Sequence, residues 1–226
     1  MKRPAVRLWR RPTIPLASQG AFCHFSANNP MEMIRLEKWL VYRPNKARRN
    51  IARVRQRLAA LSTEAMQDAL VLGCGIGDVA AFLSGTYNMR VRGTDYDQEQ
   101  IQIARKRHPE NENLIYQVED AALLSFQDAS FDLVVSQNVF HHLPKWQTAI
   151  REVARVLKPA GFLLWLDIAF PKWAVQIIQP RVKKHSLYCI EDAKNEFEKQ
   201  GFVQHFHEKR IHGPFSRHDM IWQKKS

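Results

Sequence analysis

This 226-residue chain has few cysteines, no long apolar run and very few acidic residues near its N-terminus. Its three cysteines are scattered and odd in number, so they suggest neither a disulfide framework nor a metal site, and they favour a reducing, cytoplasmic compartment. No apolar run reaches the roughly 18 residues of a membrane-spanning helix. No segment has the uninterrupted apolar core of a secretory signal peptide. Since 45% of the residues are hydrophobic, the chain can form a core and most of it is expected to be globular.

The net charge of +12 is confined to one end of the chain. Residues 1–61 contain 14 Lys or Arg against two acidic residues, whereas residues 62–226 contain 20 of each. A neutral main domain lacks the continuous basic surface of a nucleic-acid groove, which disfavours a nucleic-acid partner. The basic end, residues 1–61, leaves open a contact with an anionic membrane surface, to which the protein would be peripheral.

The basic end divides into a tail and a helical extension. Residues 1–30 contain four prolines and no acidic residue, which predicts a poorly ordered tail. Three interpretations stay open: a solvated tail of no special role, an arginine-rich organelle-targeting segment, or an upstream extension that precedes a start at Met31 or Met33. Residues 31–61 are predicted to be helical and residues 62–226 to form the main domain.

In the extension, Asn45 is expected to cap a helix that runs to about Leu61. Apolar residues recur there at spacings of three and four, with arginines between them. Two interpretations stay open: a helix packed on the domain with a solvated basic face, or a basic face that meets lipid head groups or an anionic substrate.

Alternating strand and helix patterns begin at residue 68 and predict a parallel sheet with helices on both faces. The expected strands are 69–73, 89–94, 114–118, 131–136 and 161–167. The helices expected between them are about 77–84, 97–107 and 145–157. After a helix at 190–200, two further strands, 202–211 and 218–224, are predicted to form an antiparallel hairpin.

A glycine-rich turn follows the first predicted strand. Gly73, Gly75 and Gly77 alternate after the apolar run 69–72, and Asp95 ends the second strand 18 residues after Gly77. Glycines allow a ligand to approach the backbone, and a carboxylate at Asp95 can accept hydrogen bonds from both ribose hydroxyls. The glycines lack the spacing of a dinucleotide fingerprint, which weakens a nicotinamide or flavin interpretation.

A second carboxylate ends the third strand. Glu119 and Asp120 follow strand 114–118, and Asp120 suits a donor such as the adenine N6 amine. Because the carboxyl ends of parallel strands meet at one edge of a sheet, Asp95 and Asp120 are expected at the edge where open α/β sheets bind ligands. The sequence therefore predicts a site for a nucleoside-containing cofactor.

Together these motifs resemble those of the class I S-adenosylmethionine-dependent methyltransferases, in the type 11 small-molecule group. The resemblance covers about residues 46–225 and rests on four stretches: the turn 73–77, the strand end and following strand 119–136, the helix entry 141–144, and the turn 151–162. It implies a Rossmann-like seven-stranded sheet in the order 3-2-1-4-5-7-6 with an antiparallel last strand. It also implies S-adenosylmethionine as the cofactor.

The resemblance assigns cofactor-binding roles to ten positions. The backbone of the turn would face the methionine part of the cofactor. Asp95 would bind its ribose and Asp120 its adenine. The end of the fourth strand would line the methionine side and the acceptor pocket. The implied residues are Gly73, Cys74, Gly75, Gly77, Asp95, Tyr96, Asp120, Ala121, Ser136 and Gln137. The family usually has an acidic residue where this chain has Val71, and Asp78 is a candidate to compensate for it.

The catalytic candidates are His141 and His142, on a loop at the same sheet edge. Either can serve as a general base near neutral pH, although the pair is also a recurrent fold element in the family. Methyl transfer from a sulfonium is an in-line displacement that alignment alone can accelerate. The segment 169–188, with its basic residues, is a candidate cover for an anionic or lipid-like acceptor, or else a solvated loop.

The sequence thus predicts methyl transfer from S-adenosylmethionine to a small organic or lipid-like acceptor. Two alternatives stay open: a non-catalytic S-adenosylmethionine-binding partner subunit, and a nicotinamide-dependent oxidoreductase. The sequence gives no indication of the acceptor's identity or of the oligomeric state.

Overall fold

The structure, a computed structural model, describes residues 44–178, 187–213 and 215–226, without the side chains of Pro44, Asn45 and His212. The predictions for the tail 1–30, for residues 31–43 and for the segment 179–186 lie outside the described residues. No helix in the described part of the chain is long and apolar enough to cross a membrane.

The elements alternate between strand and helix as the sequence predicts. The helices are α1 (Pro44–Leu58), α2 (Asp78–Tyr87), α3 (Gln98–Arg107), α4 (Trp146–Val156), α5 (Lys172–Ile178) and α6 (Ile190–Lys199). The strands are β1 (Asp68–Leu72), β2 (Arg90–Asp95), β3 (Leu114–Val118), β4 (Phe131–Gln137), β5 (Leu157–Ala169), β6 (Phe202–His212) and β7 (Phe215–Lys224). A short 3-10 helix, Phe140–His142, follows β4.

The seven strands form one sheet in the order β3-β2-β1-β4-β5-β7-β6. The strands from β3 across to β5 pair in parallel, and β7 is antiparallel to both β5 and β6. The predicted strand order, antiparallel last strand and Rossmann-like class are confirmed. This topology puts the carboxyl ends of β1, β2 and β4 side by side at one edge.

The fifth strand begins earlier than the sequence predicts, at Leu157 rather than at residue 161. Lys158-Pro159-Ala160-Gly161 looks like a turn, yet these residues lie within the strand. Leu157 pairs with Phe131 and Phe162 with Leu133, so the register shifts between the two pairs. Ala160 adopts a φ of 60°, which lets the chain bulge without leaving the sheet.

The helical extension packs on the domain through its apolar face. Val54 and Leu58 on α1 are 0% and 1% exposed and belong to the core on one side of the sheet. The helix begins at Pro44, whose fixed φ suits a first helical position, so Asn45 lies inside it and the expected cap is wrong. It ends at Leu58 rather than near Leu61.

Two arginines of α1 are not on a solvated face. Arg57 is 5% exposed and pairs with Asp219 and Glu208, and Arg53 also pairs with Asp219. The solvated-face interpretation is therefore wrong for these two residues. The ion pairs join α1 to the β6–β7 hairpin, more than 150 positions away in sequence.

Candidate active site

A cavity of about 540 Å³ opens at the carboxyl ends of β1, β2 and β4. The volume is typical of pockets that enclose a small-molecule ligand. Helix α1 and strand β7 complete its walls, so the site is built from both ends of the described chain. Of the predicted residues, those on its lining are Gly73, Cys74, Gly75, Asp95, Tyr96, Gln137, His141 and His142.

The glycine-rich turn presents bare backbone to this cavity. Gly73, Gly75 and Gly77 all have positive φ, at 64°, 53° and 85°, a conformation that favours glycine. A Cβ added to Gly75 would meet only Gln100 Oε1, at 3.8 Å, so the backbone there is open to a ligand. A Cβ on Gly73 would instead clash with the side chain of Val139.

Asp95 links the turn to the end of β2. Its Oδ2 accepts the Gly75 amide at 2.8 Å, and its Oδ1 accepts the Asp97 amide at 3.0 Å. Burial raises the pKa of this carboxyl above its ordinary value, although the two amide donors oppose that shift. Each carboxylate oxygen can accept a further hydrogen bond, so the carboxylate can still hold a ligand's hydroxyls.

Four predicted cofactor residues lie off the cavity lining. A Cβ on Gly77 would fall 2.6 Å from Tyr116 Oη, so Gly77 serves close packing. Asp120 accepts the Ala122 amide at 2.8 Å, and Ala121 is 7% exposed in the core. Ser136 is 1% exposed, and its Oγ has no hydrogen-bond partner among the described residues. Cofactor roles for these four stay predictions.

Asp78, the candidate to compensate for Val71, lines the cavity together with it, and its compensating role stays a prediction. Asp78 is in the first turn of α2, and its Oδ1 contacts His108 Nε2 at 2.8 Å and Arg107 at 3.3 Å. Its second oxygen has no such contact among the described residues. An acidic side chain therefore lines the cavity next to the glycine-rich turn.

His141 forms a dyad with an aspartate that sequence reasoning missed. Its Nδ1 lies 2.5 Å from Oδ1 of Asp167, at the end of β5. Asp167 is fully buried and also accepts the backbone amides of Val139 and Phe140, at 3.1 and 2.7 Å, and of Ile168 at 2.7 Å. These bonds fix the 3-10 helix that carries both histidines against the sheet edge.

The charge of Asp167 sets the tautomer of His141. Burial alone would raise the pKa of Asp167, but the neighbouring His141 imidazole and the backbone donors outweigh burial, so the pKa lies below its ordinary value. An ionised carboxylate only accepts hydrogen bonds, so Nδ1 of neutral His141 must donate. Nε2 is then the ring nitrogen with a lone pair. The His142 ring lies against that of His141, with centroids 4.0 Å apart and planes tilted by 43°, and lines the same cavity.

Basic residues line the remaining wall. Lys46, Arg49 and Arg53 of α1 face the cavity together with Arg217 of β7. The i, i+3, i+7 spacing from Lys46 puts the three α1 residues on one helix face, a signal present in the sequence. Which face meets the cavity depends on how α1 docks. Within the described residues, no group of three His, Cys, Asp or Glu is arranged to hold a metal ion.

Comparisons with known proteins find related methyltransferases. A family described as "Methyltransferase domain" matches residues 70–165. The 2-methyl-6-phytyl-1,4-hydroquinone methyltransferase of Synechocystis is 36% identical over 98 residues, covering 43% of this chain and 31% of that protein. The fatty-acid O-methyltransferase of Mycolicibacterium smegmatis is 34% identical over 109 residues, covering 46% of this chain and 39% of that protein. The matched region thus spans less than half the length of these relatives.

Among solved structures, the chain resembles a Haemonchus contortus phosphoethanolamine N-methyltransferase in complex with phosphomonomethylethanolamine and S-adenosylhomocysteine. The TM-score is 0.66 at 17% identity, covering 79% of this chain and 53% of the other. This likeness supports the fold. Neither the oxidoreductase alternative nor the non-catalytic alternative is favoured by these matches.

Proposed function

We propose that the chain is a class I S-adenosylmethionine-dependent methyltransferase of the type 11 group that methylates a small organic or lipid-like acceptor. The match of residues 70–165 to a family described as "Methyltransferase domain" supports this proposal. The observation that carries the proposal is a single cavity shared by the open glycine turn, Asp95 and the His141–Asp167 dyad. A methyl donor and a proton acceptor would meet there.

The residues present fit S-adenosylmethionine. The open backbone at Gly75 and the Asp95 carboxylate suit the methionine part and the ribose, and Gln137 lines the cavity beside them. Asp78 and Asp95 make this side of the cavity acidic, which suits a ligand with a sulfonium and an ammonium against one carboxylate. When bound, the cofactor supplies a methyl group that an acceptor lone pair displaces in line.

The dyad favours an acceptor whose nucleophile must lose a proton, such as a hydroxyl group. Nε2 of His141 would accept that proton, while Asp167 holds the ring and stabilises the imidazolium that forms. Asp167 acts through His141 and is a positioning residue. His142 lines the same cavity and is the matched position for comparison.

A labelled-methyl assay tests the proposal. The full chain, S-adenosylmethionine with a labelled methyl group and a panel of hydroxyl-bearing acceptors should give labelled product. Loss of His141 in a His141→Ala variant is expected to reduce the rate by about 10²-fold or more. The matched His142→Ala variant should lose much less. Equal losses in the two variants would contradict the assignment of the base to His141.

Contact with an anionic membrane surface through residues 1–61 and a cytoplasmic location stay proposals. What supports the membrane contact is the basic excess of that region, part of which, at Arg48 and Arg55, is exposed on α1. Co-sedimentation of the full chain with anionic and with neutral vesicles tests it, and equal recovery with the two vesicle types would contradict it.

A further inference from the structure

The cavity is divided by charge. Asp78 and Asp95 lie on the side of the glycine turn, whereas Lys46, Arg49, Arg53 and Arg217 line the side formed by α1 and β7. An acidic side suits the cationic cofactor, so the cationic wall remains available for the other reactant.

Carboxylates neutralise only part of this wall. Arg53 Nε donates to Oδ1 of Asp219 at 2.7 Å, and Arg57 Nε donates to Oδ2 at 3.2 Å, so both oxygens of Asp219 are engaged. Among the described residues, neither Lys46 nor Arg217 has a carboxylate within ion-pair distance. The Nε of Arg217 is buried and has no hydrogen-bond partner in the described part of the chain.

These two cations repel each other and their neighbours. Burial, followed by the charges of Arg217 and Arg49, lowers the pKa of Lys46. Burial, followed by the charge of Arg53, lowers the pKa of Arg217, and Asp219 only partly opposes this. Arg217 also lies directly opposite Arg210 across the β6–β7 pair, where like charges destabilise a sheet. An anion bound at this wall would relieve the repulsion.

We propose that Lys46, Arg49 and Arg217 form an anion subsite that binds a carboxylate or phosphate group of the methyl acceptor. This inference rests on the proposed function, since the anion belongs to the acceptor of that reaction. Arg217 can offer its buried Nε–H and its guanidinium fork, and Lys46 supplies a second charge from α1. Arg53 is held by Asp219 and contributes mainly to the positive field.

The same wall could instead hold the carboxylate of the cofactor itself. A two-step titration distinguishes an acceptor anion from the cofactor carboxylate. The full chain is first saturated with S-adenosylhomocysteine and is then titrated with inorganic phosphate at constant ionic strength. Arg217→Gln and Lys46→Gln are expected to weaken phosphate binding by roughly tenfold or more and to leave S-adenosylhomocysteine binding within about twofold. Arg48→Gln is the matched control, because Arg48 is exposed on the same helix and does not line the cavity.

Three results would overturn the subsite: no saturable phosphate binding, equal phosphate binding in Arg217→Gln and Arg48→Gln, or a tenfold loss of S-adenosylhomocysteine affinity in Arg217→Gln. The third would assign the cations to the cofactor. Absence of S-adenosylhomocysteine binding by the unaltered chain would instead refute the proposed function. As a second readout, labelled product made from a metabolite extract is expected to be retained on an anion exchanger at pH 7, and elution in the flow-through would contradict the subsite.

Discussion

Replacing Asp167 with Asn keeps the shape of the side chain but removes its charge and one of its two acceptor atoms. In the native protein Oδ2 accepts the amides of Val139 and Phe140, while Oδ1 faces His141 Nδ1 and the amide of Ile168. We expect the Asn oxygen to keep the first two donors, so that its amide group turns towards the other two.

This arrangement has two consequences. His141 can adapt by moving its ring proton from Nδ1 to Nε2, so that Nδ1 accepts a hydrogen bond from the new amide group. Nε2 then has no lone pair and cannot act as a base. The Ile168 amide cannot adapt and loses its acceptor in a partly buried position, which costs up to about 3 kcal/mol. The variant should therefore fold, with a lowered free energy of unfolding and the opposite His141 tautomer.

Urea unfolding and the imidazole ¹⁵N chemical shifts of neutral His141 measure the two effects without any acceptor. Asp128→Asn is a matched control, because Asp128 is 79% exposed and pairs with Arg155, so its loss should cost no more than about 1 kcal/mol. The reasoning would be refuted by an Nε2–H tautomer in the native protein, or by an unchanged tautomer and stability in Asp167→Asn.

Three further predictions concern the glycine-rich turn, the Asp95 carboxylate and the hydrophobic core. Gly77→Ala should destabilise the fold by at least about 1–2 kcal/mol in thermal or urea unfolding, since φ is 85° and the added Cβ would approach Tyr116 Oη. Affinity for S-adenosylhomocysteine, measured by calorimetry across pH, should fall as the pH drops through the Asp95 pKa, because hydroxyls donate to the ionised form. Since burial raises that pKa, the loss should begin at a higher pH than for an exposed aspartate. Phe197→Ala should cost about 3–5 kcal/mol in urea unfolding, because Phe197 is fully buried and its ring lies 4.8 Å from that of Trp222.

Each of these has a control within the chain. Gly85→Ala, in α2 where an added Cβ meets nothing within 4 Å, should stabilise the fold by about 0.5–1 kcal/mol. Asp95→Asn should abolish the pH dependence of binding in the acidic range, and persistence of that dependence would point to another group. Val203→Ala, on the partly exposed side of β6, should cost far less than Phe197→Ala.

The strands were predictable where a short run of apolar residues marks them. The predicted limits of β3 match those of the structure, and those of β1 and β4 lie within one residue of it. The start of β5 was not predictable from turn-forming residues, because pairing with β4 across a bulge keeps Pro159 and Ala160 in the strand. The composition of a short segment does not indicate which strand it will pair with.

Site residues were predictable where the chemistry of one residue at a strand end identifies its role. They were not predictable where the role depends on contact between two residues distant in sequence. Asp95 follows from the end of a strand, and it lies on the cavity as predicted. Asp167 is a single carboxylate in an apolar strand, and only the proximity of β5 to the 3-10 helix makes it the partner of His141. The cationic wall likewise depends on the docking of α1 against β7, which no local pattern encodes.

The central claim is that this cavity binds S-adenosylmethionine and its product. Calorimetric titration of the ligand-free full chain with S-adenosylhomocysteine, and separately with NADH, tests that claim most directly. The account predicts saturable binding of S-adenosylhomocysteine, weakened tenfold or more by Asp95→Asn, and no binding of NADH. Absence of S-adenosylhomocysteine binding, or saturable binding of NADH at this site, would contradict it.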